Sequence, residues 1–132
     1  MVAGCHIQPE QFFNLIFGYH DAYGERARER DASAGDNVLE GTHVPAGEVW
    51  IVTSLLGYAG NTVITKLSIG IYDGTTYKNV AIKPSPAINV GVQTQGFWPM
   101  KEGDRIFGYF SGCGASEDII IEAIGYKMKL SQ

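Results

Sequence analysis

Cysteine is scarce in this 132-residue chain, with only Cys5 and Cys113. Two cysteines with no CxxC spacing cannot form a disulfide framework or a thiolate metal cage, so both are expected as free thiols in a reducing compartment. Long apolar runs are missing too. Nothing approaches the roughly 20 residues that a membrane-crossing helix needs. Met1-Val2-Ala3-Gly4-Cys5 has the outline of a lipidation site, but no apolar segment precedes the cysteine, so lipidation is rejected. Basic residues are not in surplus: the net charge of −4 argues against a nucleic-acid partner, which calls for a basic face. Histidine stops early. His6, His20 and His43 all precede the main β-rich region, and a cupin-type metal site needs an HxH pair, a Glu and a later His, so the histidine count disfavours that class of enzyme. No nucleophile elbow, Walker or dinucleotide-binding pattern occurs either.

What the chain does have is glycine and short β-rich runs. Seventeen glycines are close to twice the usual share of roughly 7%. Glycines scattered between short β-branched runs indicate a turn-dense all-β fold, and the length suits one domain with a real core. The organising stretch is VPAGEVWIVTSLLGY, Val44 to Tyr58. Pro45-Ala46-Gly47 makes a turn, and the run after it reads as a central strand covered on both sides. Strict alternation places Val49, Ile51, Thr53 and Leu55 on one face and Trp50, Val52, Ser54 and Leu56 on the other.

Turn signals then recur at short intervals. Gly60-Asn61 precedes a strand over Val63–Tyr72, with Val63, Thr65, Leu67, Ile69 and Ile71 on one face. Asp73-Gly74 signals a hairpin into Tyr77–Ile82. Pro84 and Pro86 mark a crossing between sheets, and Ile88–Trp98 is extended. Lys101 to Asp104 turns into Arg105–Ser111, and Asp118–Leu130 is expected as the last and longest strand. The count, about eight strands, fits an antiparallel jelly-roll-like β-sandwich.

The first third differs in character. Residues 1–43 hold seven acids and three arginines, whereas residues 44–132 hold seven acids and seven basic residues, so the whole acidic excess lies in the first third. Phe12, Ile16, Tyr19 and Tyr23 follow helical spacing, with Phe13 and Phe17 off that stripe. Such a segment is either a short helix or strand packed on its own domain or an arm docked on a neighbour; on the second reading Phe12, Phe13, Phe17, Tyr19 and Tyr23 are the attachment residues. The expected division is an arm over 1–22 and a sandwich over 23–132. Arg26, Arg28 and Arg30 share one face of an edge strand, which is either solvated or an inter-subunit ion-pair surface. Asp73, Glu102, Asp104, Glu117 and Asp118 sit at turns, where acids are common; oxygen-only ligands there leave calcium open. Trp98, at a strand end, is the candidate for stacking a sugar.

Together VPAGEVWIVTSLLGY (Val44–Tyr58), GIYDGTTY (Gly70–Tyr77), MKEGDRIFGYFSG (Met100–Gly112) and DIIIEAIGYKM (Asp118–Met128) resemble small β-sandwich structural proteins of tailed bacteriophages. The resemblance covers residues 23–132 and implies a virion protein, made in the host bacterial cytoplasm, without catalytic residues or cofactors. It implies self-association, with a homotrimer expected, and contact with other virion proteins (major capsid, portal or adaptor). Decoration of the capsid and a short neck fibre or connector at the head–tail junction are both compatible with it. A module binding a host receptor or surface glycan is the competing class.

Overall fold

In the computed structural model, residues 17–130 are described. They form eight strands: β1 Phe17–Ala32, β2 Gly35–Glu40, β3 Glu48–Ala59, β4 Lys66–Tyr72, β5 Tyr77–Pro84, β6 Val92–Met100, β7 Arg105–Cys113 and β8 Glu117–Leu130. One sheet has the order β1-β8-β3-β6 and the other β2-β7-β4-β5, and every pairing is antiparallel. All connections except β4–β5 cross between the sheets, which is the jelly-roll arrangement. Pro84 ends β5 where the chain leaves one sheet for the other, since proline cannot donate to a ladder.

The core lies between the sheets. Leu55, Ile69, Ile106, Phe110 and Ile121 are fully buried there, each supplied by the period-two alternation of its strand. β4 keeps the expected faces for Leu67, Ile69 and Ile71, but it starts only at Lys66; Val63 is exposed in the preceding loop.

β3 departs from strict alternation. Its pairing with both β8 and β6 slips between Val52 and Ser54, a bulge at Thr53 whose hydroxyl donates to the Ile124 carbonyl (3.2 Å). One extra residue inverts the parity downstream. Trp50 and Val52 therefore share the core face with Leu55 and Ala59, not with Ser54 and Leu56. Opposite the bulge lies Gly125, where an added Cβ would come within 1.8 Å of the Ile51 carbonyl oxygen.

The first third is also corrected. Tyr19 and Tyr23 belong to β1, not to a helix, and at 16 residues β1 rather than β8 is the longest strand. The boundary expected between residues 22 and 23 falls inside this strand, because Phe17 to Ala22 continue its ladder with β8. Phe12 and Phe13 lie outside the described residues. β1 is an edge strand, as its charge pattern suggested.

Candidate functional site

The outer face of the β1-β8-β3-β6 sheet is divided along its strands into a charged half and an apolar half. At the charged end, Arg26 and Arg28 project beside acids of β8. Arg26 Nε lies 3.1 Å from Glu122 Oε1, and its guanidinium also donates to the Tyr58 hydroxyl. Arg28 clasps Asp118 with two hydrogen bonds, 2.9 and 2.6 Å. The same guanidinium holds the Asp118 carboxyl below the usual carboxylate range. Arg30 is exposed on the same strand. Two of the three arginines thus meet acids of their own chain.

The apolar half carries Tyr19, Phe97 and Ile124, which are 70%, 61% and 60% exposed. Val49, Pro99 and Tyr126 flank them on neighbouring strands of the same face. Ile124 stands proud because its two ladder neighbours, Gly24 on β1 and Ser54 on β3, are small. Other exposed large hydrophobics are dispersed: Val63, Ile88 and Val90 in loops, and Val38, Tyr77 and Ile82 on the second sheet. A face with several protruding apolar side chains on one sheet is suited to protein contact.

The remaining attachment residues fall in different places. Tyr23 is 4% exposed; its ring lies 5.0 Å from that of Trp50 and its hydroxyl donates to Glu25 Oε1 (2.7 Å). Burial, with the Glu25 carboxylate beside it, raises its phenol well above the ordinary value. Tyr23 is thus core, because a Gly125 partner on β8 gives its ring room to turn inward. Phe17 opens β1.

Trp98 is placed opposite Val52, partly buried against the core, with its ring over Gly96. The residue exposed beside it is Phe97, while the half-buried Trp98 lines an open space of about 440 Å³ with Lys78, Asn79 and Pro99.

Asp73 and Asp104 are held by their own turns, and Glu117 by the β3–β4 loop. Asp73 accepts the Thr75 and Thr76 amides (2.8 and 2.7 Å), which lower its carboxyl pKa. Asp104 accepts the Lys101 amide at 3.0 Å. Glu117, fully buried, accepts the Asn61 and Thr62 amides and the Thr62 hydroxyl. Among the described residues no group of three or more His, Cys, Asp and Glu side chains is arranged to hold a metal.

Sequence reasoning missed the outer face of the second sheet. There Tyr72 and Tyr77 stack at 4.0 Å with an interplanar angle of 7°, Tyr77 meets Phe107 edge-on at 4.8 Å, and Arg105 lies 4.4 Å over Tyr72. The outward positions of β4 (Lys66, Ser68, Gly70, Tyr72) were visible in the alternation, but their cross-sheet neighbours were not.

No family model and no curated protein matches the chain. Among solved structures, a chain from the acidic stable capsid structure of Helicobacter pylori bacteriophage KHP30 superposes with a TM-score of 0.60 at 13% identity, over 83% of this chain and 90% of that one. Looser superpositions link it to the Drosophila NLP core (TM-score 0.40, 12% identity, 83% of this chain and 100% of that one). The Eiger TNF of S. frugiperda is looser again (TM-score 0.34, 10% identity, 83% and 94%). At such identities the likeness is one of fold.

Proposed function

We propose that this chain is a non-enzymatic structural protein of a bacteriophage virion, a jelly roll that self-associates and sits on the capsid or at the head–tail junction. The observation that carries the reading is the protruding set Tyr19, Phe97 and Ile124 on one outer sheet face. A water-facing sheet of a monomer gains nothing from such side chains, whereas a subunit contact buries them at about 25 cal/mol per Å² of apolar area. The fold shared with a chain of a phage capsid structure over most of both chains supports the virion setting.

The state expected is a homotrimer, with residues 1–16, including Phe12 and Phe13, reaching a neighbouring virion protein. Arg30 and the outer edges of the Arg26 and Arg28 pairs would then border the subunit contact. Sedimentation equilibrium at micromolar concentration tests the first part. Wild type should run at three times the 14.4 kDa of one chain, and the Phe97→Ser, Ile124→Asp double variant at the mass of one chain with little change in melting temperature. A monomeric wild type removes the basis of the reading. Mass spectrometry of purified virions tests the second part: abundance matching the major capsid protein means decoration, and tens of copies mean a neck or fibre. Absence from the particle overturns the assignment.

A further inference from the structure

On the other side of the molecule a trough runs along β4. Its floor is low at Ser68, a small outward residue of β4, while Tyr109 on β7 and Tyr77 and Asn79 on β5 border it. Strands lie roughly 4.8 Å apart, so walls one strand either side of β4 stand about 10 Å apart, wide enough for one six-membered sugar ring. The space is about 340 Å³, within the range of small-ligand sites. At Gly70 the trough ends: a Cβ there would lie 2.0 Å from the Lys78 carbonyl oxygen and 3.0 Å from the Phe107 ring, so the β5 backbone and Phe107 close over that position.

Three features of the trough fit an amphipathic ligand. Tyr72 stacks on Tyr77 at 4.0 Å and Phe107 meets the same ring in a T-shaped contact at 4.8 Å, so Tyr77 is a fixed aromatic ring bordering the space. Ser68 is only 5% exposed and lines the space, where its hydroxyl can meet a ligand hydroxyl. Finally, Asp36 accepts the Tyr109 hydroxyl (3.3 Å) and the Gly112 amide (3.2 Å), one on each oxygen, leaving lone pairs for a further donor.

We propose that this trough binds carbohydrate, taking one pyranose ring with its C–H face on Tyr77 and its hydroxyls on Ser68, Asn79 and Asp36. The ligand class follows from the mixture. An aromatic platform beside several donors and acceptors matches a ring that is apolar on its faces and polar at its rim. Asp36 and Lys66 offset each other in charge, which favours a neutral sugar over a phosphate. An apolar ligand would leave Ser68 and Asn79 unpaired. The proposal does not depend on the virion reading, since it concerns the opposite sheet.

The test is a titration of the ¹⁵N-labelled full chain, followed by NMR, with glucose, galactose, mannose, rhamnose and N-acetylglucosamine separately. At least one sugar should give saturable shifts centred on the amides of Ser68, Asn79 and Ser111. Ser68→Ala, which removes only the hydroxyl, and Asn79→Ala should each weaken that binding by about three- to tenfold, the worth of one neutral hydrogen bond. Tyr77→Leu should abolish it; the two milder variants keep the test decisive where loss of the Tyr77 packing unfolds the sheet. The proposal is overturned by saturable shifts centred elsewhere, by no response to any of the five sugars, or by binding unchanged in both Ser68→Ala and Asn79→Ala.

Discussion

Replacing Glu117 by alanine should cost this protein more than any change to the acid beside it. Glu117 opens β8 and is fully buried, and among the described residues no cation lies within ion-pair reach of it. What holds its carboxylate is the β3–β4 loop: Asn61 N–H at 2.8 Å, Thr62 N–H at 3.2 Å and the Thr62 hydroxyl. Hydrogen bonds to a charged group contribute about 1.5–3 kcal/mol each. Asn61 and Thr62 are themselves exposed, so water re-solvates part of what the alanine abandons. The net expectation is a loss of about 3 kcal/mol, or roughly 10 °C in melting temperature for a domain of this size. Glu117→Gln, which keeps the shape but loses one accepting oxygen, should lose about 1–2 kcal/mol. Asp118→Asn breaks a surface ion pair and should stay within about 1 kcal/mol of wild type. Urea titration of all four proteins at one concentration, followed by Trp50 and Trp98 fluorescence, gives the ranking. A Glu117→Ala variant within about 1 kcal/mol of wild type would refute the reasoning, because desolvation of the carboxylate would then match its hydrogen bonds.

Three further outcomes follow from the geometry. Gly125→Ala should fail to fold or lose several kcal/mol, since its Cβ would overlap backbone at the β3 bulge; circular dichroism and a thermal melt suffice to check it. The Arg28 hydrogen bonds lower the folded Asp118 pKa, so their stabilisation is complete above the unfolded value of about 3.9 and is lost as pH falls through the lower folded one. The gap between wild type and Asp118→Asn should therefore shrink below about pH 4 and shrink also at high salt. Cys113 is 5% exposed and burial raises its thiol pKa, so in the native protein it should react with a thiol reagent far more slowly than in urea.

The fold was largely legible because each strand announced itself locally. Asp73-Gly74 sits between two β-rich runs and makes the hairpin turn, with Gly74 at φ +96°. Arg26, Arg28 and Arg30 alternate with small or acidic residues and do lie on an edge. Two things escaped. The parity inversion at Thr53 has no local signature, because a bulge is a property of the pairing rather than of one strand; Thr53 reads like any other strand residue. The aromatic spacing of Tyr19 and Tyr23 suits a helix as well as a strand, and only the β8 ladder decides between them. The interaction faces were harder still. Tyr23 looked available in sequence and proved inward, while Ile124 protrudes because its cross-strand neighbours Gly24 and Ser54 are small.

The pairing of β1 with β8 also governs when this protein can fold. Phe17 lies opposite Leu130, and among the described residues β1 has no other ladder partner. During synthesis β1 therefore emerges long before the strand that completes its hydrogen bonds, and its sheet edge stays unmatched until β8 has been made. Loop closure over such a separation is slow, and an open edge in the interval invites mispairing. Linking the end of β8 to the start of β1 and opening the chain at the β4–β5 turn would make β1 and β8 sequential neighbours. That rearranged chain would keep the same contacts and reach them sooner.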